Sequence, residues 1–422
     1  MTKATNDNNQ GEVKGFTSKI VHSDRQDGIE HGAVHKPVHD SVAFGYDDAE
    51  ELAAVFQGVH SGYTYGRQVN PTVTALENKI TAMEQGIATV CFGTGMAAIG
   101  TTMFALLRDG DHVVSSAFLF GNTTSLFNSF AQQGFGVSFV DATNVDNVAA
   151  ALTPNTRMVF VETIANPRTQ IADLQKIGEL CKQRGLIYVV DNTITSPYLF
   201  QPVSVGASLV INSLTKYISG HGNVLGGAVT ELGLFDWSAF PNIYDNYKGG
   251  ESARWGITQI RKKGLRDFGA ALSAQSAHDI SKGAETLALR MDRQCANAQT
   301  LAEFLRQQSD GVDAVYYPGL EQHPQQQRCR ELFKSPGAIL SFELSPQRDI
   351  WRFLNALKVV IKSTNLGDNR TLAIPVAQTI YHEVGAVVRK EMGIADTLIR
   401  ISLGIEDIAD LIEDFSQAFA QS

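Results

Sequence analysis

Short apolar runs that alternate with helical segments dominate the first half of the chain, and they constrain its fold most strongly. Such runs are typical of strands in a parallel sheet that helices cover on both faces. We therefore predict an α/β fold with a large doubly wound, mainly parallel sheet, whose ligands gather at the carboxyl ends of the strands. The seven runs lie at 89–92, 112–115, 137–140, 158–161, 186–190, 209–211 and 225–229.

The length of the chain, 422 residues, favours more than one structural unit. Residues 1–70 form an N-terminal arm with little periodicity, and we expect its first fifteen or so residues to be disordered. The sheet domain is predicted at 71–278, and a smaller C-terminal α+β domain at 279–422 begins with one long linker helix over 279–308. Within that domain we expect strands and helices at 312–316, 339–342, 350–357, 398–402 and 406–420.

Charge and cysteine content exclude several classes of partner. A formal net charge of −9 argues against nucleic acid or an anionic membrane as the main partner. The four cysteines form no CxxC pair, which suits a reducing cytoplasm and predicts no metal site.

The polar N-terminus indicates no signal peptide. The uncharged stretch 86–107 is interrupted by glycines and threonines, so it predicts strand, turn and helix and not a membrane span.

A lysine, Lys216, follows the apolar run at 209–211 after a few small polar residues and precedes four glycines. At the carboxyl end of a buried strand, desolvation would lower the pKa of its amine. The amine would then be nucleophilic enough to form a Schiff base. This stretch alone leaves open the alternative of a solvated lysine in a flexible loop.

Other strand ends carry groups that suit the same ligand. Asp191 ends a very apolar run, where an unpaired carboxylate is costly to bury, although a helix cap or turn is an equal alternative. Gly93-Thr94-Gly95-Met96 opens a helix and could cradle a phosphate, or be a packing turn. A reactive lysine, an acid for a ring nitrogen and a phosphate cradle are together what pyridoxal phosphate requires. Ser213 and Thr215 add hydroxyl donors for the phosphate.

Seven motifs occur in order along the chain. They are Tyr65-Gly-Arg67 with Asn70-Pro-Thr72, Thr94-Gly95-Met96, Glu162-Thr-Ile-Ala-Asn166-Pro, Val190-Asp191-Asn192-Thr193, Ser213-Leu-Thr215-Lys216, Asn365-Leu-Gly-Asp368 and Arg400-Ile-Ser-Leu-Gly-Ile-Glu-Asp407. In these motifs the chain resembles the pyridoxal-phosphate-dependent enzymes of cysteine and methionine metabolism. That family includes cystathionine γ-synthase, cystathionine lyases, methionine γ-lyase and O-acetylhomoserine sulfhydrylase. The resemblance covers nearly the whole chain from about Phe16.

The resemblance implies the aspartate-aminotransferase fold, fold type I, and assigns roles to the matched residues. Lys216 would hold the cofactor and shuttle the substrate's protons, and Asp191 would pair with the ring nitrogen. Arg400 would grip the substrate's α-carboxylate through a bidentate pair, helped by Asn166 and Asn365. The implied cofactor-binding set is Tyr65, Arg67, Gly95, Met96, Phe120, Asp191, Ser213, Thr215 and Lys216.

The resemblance also implies a homotetramer of two tight dimers, in which Tyr65 and Arg67 reach the phosphate of a neighbouring subunit. Three departures from the family pattern fall on the substrate pocket. Phe120 replaces a tyrosine that can assist protonation of the leaving group, so it can stack on the cofactor but cannot act as an acid. Asn122 stands where methionine γ-lyases have a cysteine, and Thr364 stands where enzymes acting on cystathionine tend to place a glutamate.

These features predict a lyase or transferase that performs γ-elimination or γ-replacement on a Cγ-substituted L-amino acid. The expected substrates are an O-acyl-homoserine, methionine or a related homoserine derivative. Thr364 weakens cystathionine as a ligand, although a cystathionine γ-synthase or lyase stays an alternative. Phe120 leaves open an O-linked leaving group such as that of canavanine. A further alternative is a regulatory member of the family that binds the cofactor and turns over no amino acid.

Overall fold

The structure is a computed structural model, which describes residues 14–25 and 29–422. We expect the first fifteen or so residues to be disordered. Of these, residues 1–13 lie outside the described residues. The described strands form two sheets, one of seven strands and one of five. The strands of the larger sheet are β1 (Ala88–Phe92), β2 (His112–Ser116), β3 (Gly136–Val140), β4 (Thr156–Glu162), β5 (Ile187–Asp191), β6 (Leu209–Asn212) and β7 (Gly227–Glu231).

The order of the larger sheet is β1-β7-β6-β5-β4-β2-β3. Strands β2 to β6 pair in parallel, whereas β7 is antiparallel to both β1 and β6. Successive residues of β5 belong to different cores, because Val189 packs with the cluster on one face and Val190 with the cluster on the other. This burial on both faces explains why the strands are continuous apolar runs. The predicted α/β fold with a mainly parallel sheet is confirmed.

Helices cover both faces of this sheet and precede or follow its strands. Asn70 caps the helix that begins at Pro71, because its Oδ1 accepts hydrogen bonds from the amides of Thr72 (2.9 Å) and Val73 (3.3 Å). The helices up to the end of this sheet region are α1 (Phe16–His22), α2 (Ala49–Gln57), α3 (Pro71–Glu84), α4 (Gly95–Leu106), α5 (Gly121–Ala131), α6 (Val145–Ala150), α7 (Leu174–Arg184), α8 (Ser196–Leu199), α9 (Trp255–Gln259), α10 (Arg266–Phe268) and α11 (Ala274–Ala284).

The smaller sheet has the order β10-β11-β12-β9-β8. Its central strand β12 is antiparallel to both β11 and β9, and it carries Arg400 opposite Ile374 and Ser341. The elements of this region are α12 (Leu287–Arg306), β8 (Val312–Tyr316), α13 (Gln326–Leu332), β9 (Ile339–Leu344), α14 (Ile350–Ala356), β10 (Ile361–Lys362), β11 (Leu372–Pro375), α15 (Gly385–Glu391), β12 (Leu398–Ser402) and α16 (Ile408–Gln421).

The single long linker helix predicted over 279–308 is wrong, because α11 and α12 are separate helices. The break follows Gly283, whose carbonyl oxygen accepts a hydrogen bond from the buried Arg290 side chain (2.9 Å) in place of a regular helical bond. A Cβ on Gly283 would lie 2.1 Å from the carbonyl oxygen of Ser219. The absence of a side chain at Gly283 therefore lets the chain lie close against the loop that carries Lys216. Helical periodicity in the sequence does not reveal this contact.

Within the described residues, no helix is both long enough and apolar enough to cross a membrane. The same residues contain no cluster of metal-ligating side chains, and Cys91, Cys181, Cys295 and Cys329 are buried free thiols.

Candidate active site

A cavity of about 950 Å³ opens where the carboxyl ends of β4, β5 and β6 face the smaller sheet. It brings together every residue that the sequence proposed for the site except Tyr65 and Arg67. Those that line it are Gly95, Met96, Phe120, Asn122, Asn166, Asp191, Ser213, Thr215, Lys216, Thr364, Asn365 and Arg400.

Lys216 lies just beyond β6, and its Nζ donates a hydrogen bond to Asn365 Oδ1 at 2.7 Å. Burial, together with the positive charge of Arg400, lowers the pKa of its amine to about 8. At pH 7 about a tenth of such an amine is neutral, against less than a thousandth for an ordinary lysine. This environment fits a nucleophilic lysine and argues against the solvated one.

Buried contacts from two sides fix the loop that carries Lys216. Arg290 on α12 donates to the carbonyl oxygens of Tyr217 (2.7 Å) and Ile218 (3.1 Å). On the other side Gly367, with a φ of +74°, lies so close that a Cβ would meet the Tyr217 nitrogen at 2.6 Å. The glycine of the Asn365-Leu-Gly motif is therefore required for that motif to contact the lysine.

Arg400 lies on β12 and is 2% exposed. Its Nη2 donates to the carbonyl oxygens of Thr364 (3.0 Å) and Asn365 (2.9 Å), and its Nη1 to Asn166 Oδ1 (3.4 Å). Among the described residues no carboxylate pairs with it, its Nε has no hydrogen-bond partner, and burial lowers its pKa to about 10. A buried guanidinium without an acid is costly. The arrangement suits an incoming carboxylate.

Two carboxyl groups end neighbouring strands, because Glu162 of β4 and Asp191 of β5 are register partners. Asp191 Oδ1 accepts from the amide of Thr193 (3.0 Å), and Glu162 Oε1 accepts from the amide of Phe120 (2.7 Å). Burial raises the pKa of both groups, and the Asp191 carboxylate raises that of Glu162 further. No lysine or arginine pairs with either in the described part of the chain. A cationic ring N–H would stabilise the ionised form of Asp191.

An anion cradle lies at the start of α4. Thr94 caps this helix through a hydrogen bond from the Ala97 amide (3.0 Å), so the amides of the first turn point outward without helical acceptors. Gly95 permits a close approach, since a Cβ there would lie 2.9 Å from Ser213 Cβ. Thr215 Oγ1 bonds to both backbone groups of Gly226, at 3.2 and 3.0 Å, which orients it beside the cradle.

These observations fit pyridoxal phosphate. Within residues 14–25 and 29–422, no cation pairs with the buried acids and no acid pairs with the buried Arg400, so the site holds charges that a bound cofactor and an amino acid would balance. The small cradle around Gly95 is suited to a phosphate. The residues that would hold the group are Gly95, Met96, Phe120, Asp191, Ser213, Thr215 and Lys216.

Tyr65 and Arg67 do not reach this cavity within their own chain. The Arg67 guanidinium stacks 5.1 Å from the centre of the Tyr65 ring, and Tyr65 is 40% exposed.

Sequence reasoning gave no role to two buried carboxyl groups beside the cavity. Glu162 obeys the rule that singled out Asp191, namely an acid at the end of a buried strand, and that signal could have identified it. Glu84 is the last residue of α3 and accepts from the side-chain amides of Asn212 (2.6 Å) and Asn192 (3.1 Å). It ties together the ends of β5 and β6, and burial raises its pKa to about 7. Its helical position gave no such signal.

This chain places Lys216 and Asp191 at the carboxyl edge of a mainly parallel sheet, the edge at which ligands of such sheets bind. Residues 17–420 match the family model described as Cys/Met metabolism PLP-dependent enzyme. The chain belongs to that family, and its cofactor is pyridoxal phosphate.

Individual relatives are similar over almost the whole chain. An L-methionine gamma-lyase of Fusobacterium nucleatum subsp. polymorphum is 38% identical over 392 residues, which are 92% of this chain and 93% of the relative. An O-acetyl-L-homoserine sulfhydrylase of Corynebacterium glutamicum is 34% identical and covers 98% of this chain and 99% of its own. A solved structure of an O-acetylhomoserine (thiol)-lyase from Campylobacter jejuni, containing N'-pyridoxyl-lysine-5'-monophosphate, superposes with a TM-score of 0.90 at 28% identity. It covers 96% of this chain and 100% of that one.

Proposed function

We propose that the protein catalyses γ-elimination or γ-replacement on an L-amino acid with a leaving group on Cγ, either an O-acyl-homoserine, methionine or a related homoserine derivative. The observation that carries this proposal is that the buried Arg400, which has no acid partner among the described residues, lies in the same cavity as Lys216. In this proposal Arg400 binds the α-carboxylate beside a group able to move protons. The similarity to methionine gamma-lyases and an O-acetylhomoserine sulfhydrylase supports the same chemistry.

In this proposal each residue has a defined task. When bound, pyridoxal phosphate supplies an electron sink for negative charge at the substrate's Cα. Asp191 holds the proton on the ring nitrogen, and Arg400 orients the substrate through its α-carboxylate. Lys216 Nζ removes the proton from Cα, gives that proton back to the reacting molecule at another carbon, and as a neutral amine again removes one from Cβ, so that the Cγ substituent can leave with its bonding electron pair. Its lowered pKa keeps part of the amine neutral for this work near neutral pH.

The pocket beyond Lys216 favours an uncharged substrate side chain. Its charged groups, Asp191, Glu162, Lys216 and Arg400, are all used at the cofactor and α-carboxylate end, and the rest of the described lining is neutral. The distal ammonium of cystathionine would be left without an acid there, since Thr364 offers only a hydroxyl. This neutral lining includes Phe120, Asn122, Thr364, Thr379, Ile380 and Leu225.

The nature of the leaving group follows from Phe120, which has no hydroxyl to donate a proton. An O-acyl group leaves as a carboxylate, whose conjugate acid has a pKa of about 4, and it needs no proton from the enzyme. A thiolate has a conjugate acid with a pKa of about 8.5 and gains more from protonation. We therefore rank O-acyl-homoserines first and thioethers such as methionine second.

A panel of Cγ-substituted amino acids tests the function. We expect O-acetyl-homoserine, whose side chain is uncharged, to release 2-oxobutyrate or, with an added thiol, to give the replacement product, and O-succinyl-homoserine, whose side chain carries a carboxylate, to react more slowly. Methionine and canavanine should react more slowly, and cystathionine more slowly still. Unsubstituted homoserine is the control, because hydroxide is a poor leaving group. Silence across the panel in protein that holds its cofactor would contradict the proposal and favour the regulatory alternative, which the missing hydroxyl at Phe120 supports.

We also propose a homotetramer of two dimers, in which residues 1–70 form an arm, 71–278 bind the cofactor and 279–422 complete the substrate site. In this assembly Tyr65 and Arg67 bind the phosphate held by a neighbouring subunit. Their position outside their own cavity supports the proposal, because an exposed tyrosine and an arginine that pairs with none of the described acids are suited to bind an anion elsewhere. The buried free cysteines support a cytoplasmic location.

Changes in the arm should weaken cofactor binding more than they affect folding. We expect Tyr65→Phe and Arg67→Ala each to raise the dissociation constant for pyridoxal phosphate by roughly 10-fold or more, the usual effect of losing a hydrogen bond to a charged group. The measurement is an absorbance titration of the cofactor-free protein. Tyr63→Phe in the same arm and Arg254→Ala on the surface serve as matched controls. Unchanged affinity in both arm variants would refute the role across the subunit boundary.

A further inference from the structure

Asn365 contacts both cations of the cavity. Its side-chain Oδ1 accepts from Lys216 Nζ at 2.7 Å, and its backbone oxygen accepts from Arg400 Nη2 at 2.9 Å. Of the described residues, Asn365 is the only one that gives Lys216 Nζ a hydrogen-bond partner. One residue thus links the group proposed to bind the α-carboxylate with the group proposed to move protons.

The position of Asn365 is set by its surroundings. Two residues later, Gly367 packs against the backbone of Tyr217, and its amide donates to Ser402 Oγ at 2.9 Å on the neighbouring strand β12. The loop is therefore anchored both to the lysine segment and to the smaller sheet. The backbone of Asn365, whose oxygen accepts from Arg400, is thereby held beside Lys216, within hydrogen-bonding reach of its carboxamide.

We propose that Asn365 is a positioning residue that holds the free amine of Lys216 and stabilises its charged form, rather than a residue that recognises the substrate. A carboxamide oxygen can only accept hydrogen bonds, so it favours the ammonium over the neutral amine. It opposes Arg400, whose charge acts on the same amine in the opposite direction. This inference rests on the proposed function only in taking Lys216 as the group that moves protons.

Other charged groups reach the same cavity from three strands. Arg400 comes from β12, Asp191 from β5 and Glu162 from β4. Arg400 is the one whose charge acts on the lysine, and neither acid forms an ion pair with it among the described residues. A substitution at Asn365 leaves all three in place. A change in the titration of Lys216 in such a variant would therefore report on the carboxamide itself.

The test follows the titration of Lys216 directly in full-length protein freed of cofactor. The protein is labelled across a range of pH with dinitrofluorobenzene, which reacts with an amine only in its neutral form, and labelling at residue 216 is quantified by peptide mass spectrometry. Asn365→Ala should lower the midpoint by about one pH unit, because the ammonium loses an acceptor. Asn365→Asp, of the same shape, should raise the midpoint by at least about as much, because it adds a negative charge.

Opposite shifts separate this role from a merely structural one, which would move both variants the same way. Asn128→Ala, on the exposed face of α5, is the control and should leave the midpoint unchanged. If the alanine variant does not fold, Asn365→Ser replaces it, with a smaller shift in the same direction. An unchanged midpoint, or equal shifts, would overturn the inference. Opposite shifts in a protein that is silent on the substrate panel would uphold the inference and defeat the proposed function.

Discussion

Replacing Lys216 by alanine is expected to abolish turnover of every Cγ-substituted amino acid, with a loss in kcat on the order of 10³ or more. Lys216 is the only lysine among the described residues that line the cavity, and the acids there, Glu162 and Asp191, lie at the ends of β4 and β5. No described side chain could therefore take over the transfer of protons from Cα and Cβ. The measurement is release of 2-oxobutyrate or replacement product under single-turnover conditions, with protein saturated with cofactor.

The same variant separates the loss of chemistry from the loss of binding. Since the phosphate cradle and Asp191 are unchanged, the alanine variant should still bind pyridoxal phosphate, but borohydride should no longer fix it to residue 216. Lys176→Ala, in an exposed ion pair on α7, is the matched control and should keep full activity. Residual turnover above about a tenth of normal would show that another group moves the protons.

Replacing Arg400 by lysine is expected to lower kcat/KM by roughly 10²–10³-fold. Lysine keeps the positive charge but lacks the planar fork that binds a carboxylate with two parallel hydrogen bonds. Its single ammonium must also divide its three donors between the carbonyl oxygens of Thr364 and Asn365 and the substrate. Cofactor affinity should change little, because the cradle lies on the larger sheet.

A second substrate, the α-carboxamide analogue of the preferred amino acid, makes this prediction specific. The unmodified protein should have a much lower kcat/KM for the analogue than for the amino acid. In Arg400→Lys this difference should largely disappear, because the contact that distinguishes the carboxylate is lost. Arg293→Lys, whose side chain forms a surface ion pair with Asp407, is the control. If Arg400→Lys retains full preference for the carboxylate, the α-carboxylate binds elsewhere in the cavity.

Much of the larger sheet could be predicted because its strands are buried on both faces and are therefore marked by apolar runs. The smaller sheet was only partly predicted. Strand β10 is two residues long, and β11 ends in Pro375, so neither carries an apolar or alternating signal of useful length. Their pairing with neighbouring strands defines them, and pairing is a tertiary effect. The break after Gly283 was missed for the same reason, since it lies where that residue contacts Ser219 and Arg290, which are remote or buried partners that helical periodicity does not encode.

The site, like the fold, could be predicted only in part. Asp191 and Lys216 could be proposed because neighbouring parallel strands end at one edge, and the structure brings them into one cavity. The hydrogen bond from Lys216 to Asn365 spans 149 residues and depends on how the smaller sheet docks, which no local pattern encodes. The contacts of Glu84 with the ends of β5 and β6 could not be predicted, because a glutamate at a helix end is usually solvated.

The cavity is shared between two parts of the chain that are far apart in sequence. Lys216 and Asp191 follow strands of the larger sheet, whereas Asn365 and Arg400 come from the smaller one. In the proposed function, a gene fragment ending before α12 would encode the residues that bind the cofactor but not Arg400, which binds the α-carboxylate. Chimaeras with related enzymes would likewise need to exchange the loop around Lys216 together with the loop around Asn365. For protein engineering, the two sheets should therefore be exchanged together.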